Sequence, residues 1–291
     1  MNKTRFTISK PDIIAAFDVN KHSVFKKADI EVILNENREF WRLTQGTTTL
    51  KFINFLLEHA SLKRINFKFP HRNEVIYTWG ERSIYEAAKI LRPESYFSHY
   101  TSMYFNELTE QLPKTIFVNY EQSKKIIKSG TLAQDRIDNA FRGRVRTSNT
   151  IAEVGDYKIC LLNGKYTNKL GVIEYRGSQN ELLYITNIER TLIDITVRPV
   201  YSGGVSEVLR AYKFAKGKVS INKLCSMLQQ INYIYPYHQA IGFYLERSGV
   251  YSKSQIELLR KFDIKYKFYL AHDMGDTDYS EEWKLYYPKG F

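Results

Sequence analysis

The chain has 291 residues, 43% hydrophobic and 14% aromatic, with 43 Lys and Arg against 31 Asp and Glu for a net charge of +12. That composition excludes wholesale disorder, and the length suggests two domains able to bury a core without metal or disulfide support. Cys160 and Cys225 are too few for a disulfide framework or a Cys-based zinc site, and no apolar run approaches the roughly 18 residues of a membrane span. The first twenty residues lack a signal-peptide core, so the reading is a soluble, cytoplasmic protein with no membrane partner. The basic surplus points to a polyanion, nucleic acid first.

Residues 1–82 read as a unit. Ser9-Lys10-Pro11-Asp12 has the pattern of a helix start, with Ser9 as cap and Ile13, Ile14 and Phe17 on one side of the helix that follows. A second helix is predicted over Lys27–Asn37, with Ile30, Ile33 and Leu34 at helical spacing. A third runs from about Thr47 to His59. Two strands follow, Leu62–Phe69 and Glu74–Trp79, joined by Pro70-His71-Arg72-Asn73. Three helices and a β-hairpin are the parts of a winged helix-turn-helix.

At 100° per residue the third helix gathers Leu50, Phe52, Ile53, Leu56 and Leu57 in one arc. Thr47, Lys51, Asn54 and Glu58 form a polar stripe opposite. A recognition helix needs such a face, with short donors and acceptors near its N-terminus and a cation for phosphate. Any amphipathic surface helix also has a polar stripe, so neighbours matter. Thr48 lies beside the stripe, and the strands add Lys63, Arg64 and Lys68 with a tip of His71, Arg72 and Asn73. Residues 1–82 hold 14 Lys and Arg against 9 Asp and Glu, so the signal lies in placement more than in total.

Residues 83–291 read as a second, mixed α/β domain with a helical C-terminal portion. Helices are predicted over Ser83–Leu91 and Tyr96–Glu110, then strands over Thr115–Asn119, Tyr157–Leu162, Val172–Tyr175 and Leu182–Ile185. Helices return at Asn187–Thr196, Gly204–Ala215, Ile221–Ile231, Pro236–Arg247 and Ser252–Phe262. Strands at Tyr266–Leu270 and Trp283–Tyr287 close the chain. The fold class is α/β (α+β).

Catalytic signatures are sparse. The chain has no phosphate-binding P-loop motif, no His-Glu-x-x-His and no Gly-x-Ser-x-Gly, and no cofactor is expected. Gly177-Ser178 opens like a nucleotidyltransferase motif, but no Asp-x-Asp follows close behind it. Glu153, Asp156 and Lys158 match the carboxylates and lysine of metal-dependent nucleases, and equally a solvated turn entering a strand. His99 and His238 sit among aromatics and read as structural. The expectation is a protein without enzymatic activity.

Lys114–Arg176 holds 12 Lys and Arg against 6 Asp and Glu. Within it Arg142, Arg144 and Arg146 alternate. In a strand they would point the same way, forming either a row of phosphate or acidic-partner contacts or a charge-protected edge.

Two runs carry a family resemblance. One is Tyr96-Phe97-Ser98-His99-Tyr100-Thr101-Ser102, continued by Glu107-Leu108-Thr109-Glu110-Gln111-Leu112-Pro113. The other is Glu189-Arg190-Thr191-Leu192-Ile193-Asp194, followed by Arg198-Pro199, Tyr201 and Gly203-Gly204. With Tyr77-Thr78-Trp79-Gly80 and Tyr286-Tyr287-Pro288-Lys289-Gly290, the chain resembles the AbiEi family over nearly its whole length. That family comprises antitoxins and predicted transcriptional regulators of bacterial type IV toxin–antitoxin and phage-defence pairs. The resemblance implies an N-terminal winged helix binding promoter repeats to repress its own operon, and a C-terminal antitoxin domain opposing a nucleotidyltransferase-like toxin. It supplies no catalytic residues. Asp194 has Arg190 within reach at i, i+4 or Arg198 a turn on, and Gly203-Gly204 permits a tight reversal. Arg190 and Arg198 are thereby expected to shape a basic surface with the arginine row. A metal-dependent nuclease, or a non-catalytic RNA- or protein-binding module, are the alternatives.

Overall fold

The computed structural model describes residues 5–124 and 132–291. The chain divides into two compact units. The first comprises Met1–Pro93, Thr150–Ile159 and Arg176–Leu183; the second comprises Glu94–Asn149, Cys160–Tyr175 and Tyr184–Phe291.

The first unit opens with α1 (Arg5–Asp18), which is already helical four residues before Ser9. Ser9 is therefore not its cap, and Pro11 sits inside the helix. The buried Ser9 hydroxyl instead donates to the Trp41 carbonyl at 2.5 Å, while Ile13 and Phe17, one turn apart, face the core. After β1 (Val24–Phe25), α2 spans Lys27–Asn37, where its pattern placed it. The Asp29 carboxylate accepts the Lys26 backbone N–H at 2.6 Å, which satisfies one of the donors a helix start leaves open. α3 (Thr49–His59) begins two residues later than its pattern suggested, because Thr48 is the cap and accepts from the Lys51 N–H at 3.3 Å.

β2 (Leu62–Phe69) and β3 (Arg72–Trp79) pair in register from Leu62 opposite Trp79 to Phe69 opposite Arg72. The turn is thus Pro70-His71 alone, and Arg72 and Asn73 belong to the strand rather than to a four-residue loop. β1 pairs with the far end of β3. α4 (Ile84–Lys89), capped by Ser83, follows. The core is aromatic: Phe17 stacks on Trp79 with centroids 4.7 Å apart, and Trp41 on Phe52 at 5.5 Å. Each such ring contributes roughly 1.5–3 kcal/mol by leaving water.

Tyr96–Glu110 is not one helix. Tyr96 and Phe97 form β4, after which α5 runs only from His99 to Phe105. β4 pairs antiparallel with β5 (Thr115–Glu121), Tyr96 opposite Asn119. α6 (Gln134–Arg142) has no counterpart in the sequence reading. It buries Ile137 and Phe141, i and i+4. β6 (Ile151–Val154) returns to the first unit, where Glu153 stands opposite Lys68, giving the order β1-β3-β2-β6 there.

β7 (Tyr157–Gly164), β8 (Val172–Arg176) and β9 (Leu182–Thr186) match predicted strands. The second unit orders its strands β7-β5-β4-β9-β8, with Phe97 of β4 pairing parallel to Ile185 of β9. α7 (Ile188–Val197) starts at the Asn187 cap, whose side chain accepts from the Arg190 N–H at 2.9 Å. A 3-10 turn, Pro199–Tyr201, leads to Gly203 and Gly204, whose φ angles of 80° and 90° make the reversal into α8 (Val205–Phe214). α9 (Ile221–Ile231), α10 (Tyr237–Ser248) and α11 (Lys253–Arg260) enclose an apolar core with α7 and α8. β10 (Phe268–Tyr269), β11 (Thr277–Ser280) and β12 (Leu285–Pro288) form a small sheet ordered β10-β12-β11. No described helix is long and apolar enough to cross a membrane.

Candidate functional site

In the first unit α3 turns Phe52, Ile53, Phe55 and Leu56 inward and leaves Thr48, Lys51, Asn54 and Glu58 exposed. Leu50 departs from its expected arc. It is 60% exposed, and Phe55 takes the inward place. Leu50 lies at the edge of the arc beside Asn54, so the tighter core around Phe52 wins the choice. Thr47 is half-buried in the preceding turn. Its carbonyl accepts from Arg38 Nη1 at 3.0 Å, and its hydroxyl meets that of Thr44 at 3.1 Å. Thr47 thus anchors the start of α3 while the exposed stripe begins at Thr48.

The hairpin tip exposes His71, Arg72 and Asn73. Arg72 Nε pairs with Glu74 at 2.7 Å and its guanidinium lies 5.6 Å from the Phe69 ring centroid, which holds the side chain at the tip. Arg64 and Lys68 alternate on the outer face of β2, where Arg64 Nε donates to Asn66 at 3.0 Å. Lys63 is ion-paired with Glu81. Lys68 faces Glu153 across the ladder, which offsets part of its charge. Glu153 also pairs with Lys158 at 3.7 Å on the exposed β6–β7 hairpin, and Asp156 sits in the turn. No group of three His, Cys, Asp or Glu among the described residues is placed to hold a metal.

The basic row of the second unit is not a strand. Arg142 ends α6, 3.9 Å from Asp138, while Arg144 and Arg146 lie in an irregular segment; all three are exposed. Strand alternation therefore does not align them. Arg190 is not on a surface at all. It is 4% exposed, bonds Asp194 from Nε at 2.8 Å, and donates from Nη1 to Thr167 Oγ1 at 3.0 Å and the Leu170 carbonyl at 2.7 Å. Arg198, half-buried at the end of α7, makes no side-chain hydrogen bond or ion pair among the described residues.

Arg190 and Asp194 stand at i and i+4 on one face of α7, and Arg198 follows as its C-cap with non-helical backbone. The two sequence runs, about ninety residues apart, meet where Asn106 Nδ2 donates to the Thr191 hydroxyl at 3.2 Å, and the charges of Arg190 and Asp194 act on Tyr96 and His99. Tyr96 donates its hydroxyl to Glu121 at 3.1 Å. Glu121 also accepts the backbone N–H groups of Thr167 at 2.9 Å and Lys169 at 3.2 Å, and the Thr167 hydroxyl. Burial raises the Glu121 carboxyl, but these hydrogen bonds outweigh it and hold the group below its usual range. Nothing in the spacing of the sequence singles out Glu121.

His99 is 8% exposed, holds a φ of 52°, and meets the Ser98 hydroxyl through Nδ1 at 2.8 Å. Burial pushes its imidazole down to about 4; Arg190 and Arg198 push the same way, and Asp194 opposes them. The ring is therefore neutral at pH 7. His238 stacks on Phe262 at 5.2 Å with Nε2 3.2 Å from the Asp263 carbonyl, a packed and bonded position.

A mixed α/β fold in two units, with four helices and a β-hairpin in the first, is the class these elements define. No known family profile and no curated protein matches the chain. Among solved structures, the crystal structure of the RV2827C protein from Mycobacterium tuberculosis matches 96% of this chain and 91% of that one, with a TM-score of 0.60 at 13% identity. The likeness is one of fold.

Proposed function

We propose that the protein is a DNA-binding transcriptional regulator whose α3 enters the major groove while the β2–β3 wing lies on the phosphate backbone. One observation carries this reading: Thr48, Lys51 and Asn54 project from the exposed side of a helix capped and anchored at that same end, next to a hairpin whose tip exposes His71, Arg72 and Asn73. Short polar side chains at a helix N-terminus suit base edges, and a cationic tip suits phosphate. The net charge of +12 supports a polyanionic partner.

The resemblance of the Tyr96–Pro113 and Glu189–Gly204 runs supports an antitoxin role for the rest of the chain, with promoter repeats as operator and a nucleotidyltransferase-like toxin as the opposed partner. The hydrogen bond from Asn106 to Thr191 gives those runs a shared structural purpose. The proposal contains no catalytic step and places the protein in the cytoplasm.

A full-length chain carrying Lys51→Ala and Asn54→Ala tests the division of labour. In gel shifts it should lose the promoter of its own operon, and in co-expression with the cognate toxin it should still protect cells. Promoter binding equal to that of the unaltered protein would remove α3 from the interface. Loss of protection together with loss of binding would make repression and antitoxicity one activity.

A further inference from the structure

The run Asn232-Tyr233-Ile234-Tyr235-Pro236-Tyr237-His238 joins α9 to α10, and its four aromatic side chains line a cavity of about 230 Å³ within the second unit. Leu228 and Gln229 near the end of α9, and Phe262 beyond α11, complete the walls with Asn232. Ring contacts hold these walls in place. Tyr237 meets Tyr233 and Tyr235 nearly edge-on, with centroids 5.3 and 6.3 Å away and planes inclined at 75° and 86°. His238 stacks on Phe262 at 5.2 Å with the planes 15° apart. Lys165 Nζ lies 5.1 Å from the Tyr233 ring centroid and donates to the Ile231 and Asn232 carbonyls at 2.7 Å, which ties down the end of α9.

The polar atoms of these lining residues are left unspent. The hydroxyls of Tyr233, Tyr235 and Tyr237, and the side-chain amides of Gln229 and Asn232, make no hydrogen bond among the described residues. A buried tyrosine usually gives its hydroxyl a partner, and Tyr237 is only 8% exposed. The Asp263 carbonyl can only accept, so His238 gives it the Nε2–H at 3.2 Å and the neutral ring keeps its lone pair on Nδ1. That Nδ1 also has no partner among the described residues. Burial holds the imidazole below its usual range against the pull of Asp263, so the ring is neutral at pH 7. None of the described residues that line the cavity carries a charge.

Aromatic walls with a few converging polar atoms make a small-molecule site, and this volume lies below the roughly 300–1,000 Å³ typical of ligand pockets. The ligand is therefore small. Ring walls favour a flat ring, against which they stack or stand edge-on. Neutral walls favour a neutral ligand, because a charge bound there would lack a counter-charge. The polar set adds a third requirement: an imidazole acceptor, amides that both donate and accept, and hydroxyls that do either suit a ring with N–H donors and ring-nitrogen acceptors. We propose that this cavity binds a neutral nitrogen heteroaromatic of the nucleobase class, with His238 Nδ1 accepting one of its N–H groups and the tyrosines packing against its ring. The proposal is independent of DNA reading by α3.

The full-length protein, titrated separately with adenine, indole and AMP, tests it by calorimetry and by the imidazole nitrogen signals of His238. Adenine should bind and shift the Nδ1 signal. Indole has the fused ring but a single donor and no ring acceptor, and should bind about fivefold more weakly or worse. AMP should bind no more tightly than adenine, since no cation lines the cavity to meet its phosphate. His238→Phe keeps a ring on Phe262 but removes Nδ1, and should weaken adenine by about fivefold or more. Tyr235→Phe removes only a hydroxyl without a protein partner, so thermal unfolding should be unchanged while adenine affinity falls roughly two- to tenfold. It serves if the His238 variant does not fold. No response to millimolar adenine, indole binding as tightly as adenine, AMP binding more tightly than adenine, or parental affinity in the variants would overturn the assignment.

Discussion

Arg190 and Asp194 meet one turn apart on α7, Nε to Oδ1 at 2.8 Å, with side chains only 5% and 7% exposed. Two more bonds from Arg190 Nη1 tie the pair to Thr167 and Leu170. The resemblance run that contains both residues is thus an internal brace holding the loop before β8 against α7. Removing one partner strands a buried charge, so Asp194→Asn should cost about 3–5 kcal/mol in urea unfolding. Replacing both together, Arg190→Met with Asp194→Leu, should cost clearly less than the single change. A single variant with unaltered stability would show that Arg190 finds water or another partner.

Gly242 lies in α10 against Trp283, and a Cβ there would come within 2.2 Å of the indole ring. Trp283 cannot move aside freely. It is fully buried, donates Nε1 to Glu246 at 2.7 Å, and lies under the Arg260 guanidinium at 5.1 Å. Alanine at a helix interior gains about 1 kcal/mol over glycine, but overpacking a core of this kind costs roughly 1–3 kcal/mol or more. Gly242→Ala should therefore be destabilising, whereas Gly143→Ala, which meets nothing within 4 Å, should stay within about 0.5 kcal/mol of the parent. Thermal unfolding of the pair decides the point.

His99 gives the fold a pH dependence of known sign. Burial lowers its pKa from 6.5 to about 4, so between those values the unfolded chain binds a proton that the native state refuses. Its contribution is complete above pH 6.5 and is lost as pH falls toward 4, up to about 3 kcal/mol in all. His99→Asn, chosen because asparagine tolerates a positive φ, should flatten the stability profile between pH 6.5 and 4.5 relative to the parent. Parallel profiles would mean that His99 titrates normally in the folded protein.

Which parts were legible follows from how local their causes are. α2 and α9 fall where their apolar spacing and first-turn residues place them, because those signals lie within the helix itself. Tyr96 and Phe97 read as helix but become strand, since their partners Asn119 and Ile185 lie far along the chain. α6 escaped because a short helix with only Ile137 and Phe141 buried leaves little periodicity. Arg190 looked like surface for the same reason that Glu121 went unnoticed. Burial of a charge depends on partners such as Thr167 and Leu170, which no spacing rule connects to it. Lys51, Asn54 and Glu58 of α3 were legible as exposed because amphipathic spacing fixes most of the side chains that face water, whereas Leu50 and Thr47, at the start of the helix, escaped that rule.

The central claim is that Asn54 of α3 reads base edges while Arg72 of the wing holds phosphate. Fluorescence anisotropy with the promoter duplex and a random duplex, each across a salt series, measures this directly. Asn54→Ala should narrow the gap between the two duplexes by about 1–3 kcal/mol. Arg72→Ala should weaken both alike and lower the salt slope by about one. Variants that bind both duplexes as the parent does, or a parent that does not distinguish them, would contradict the account.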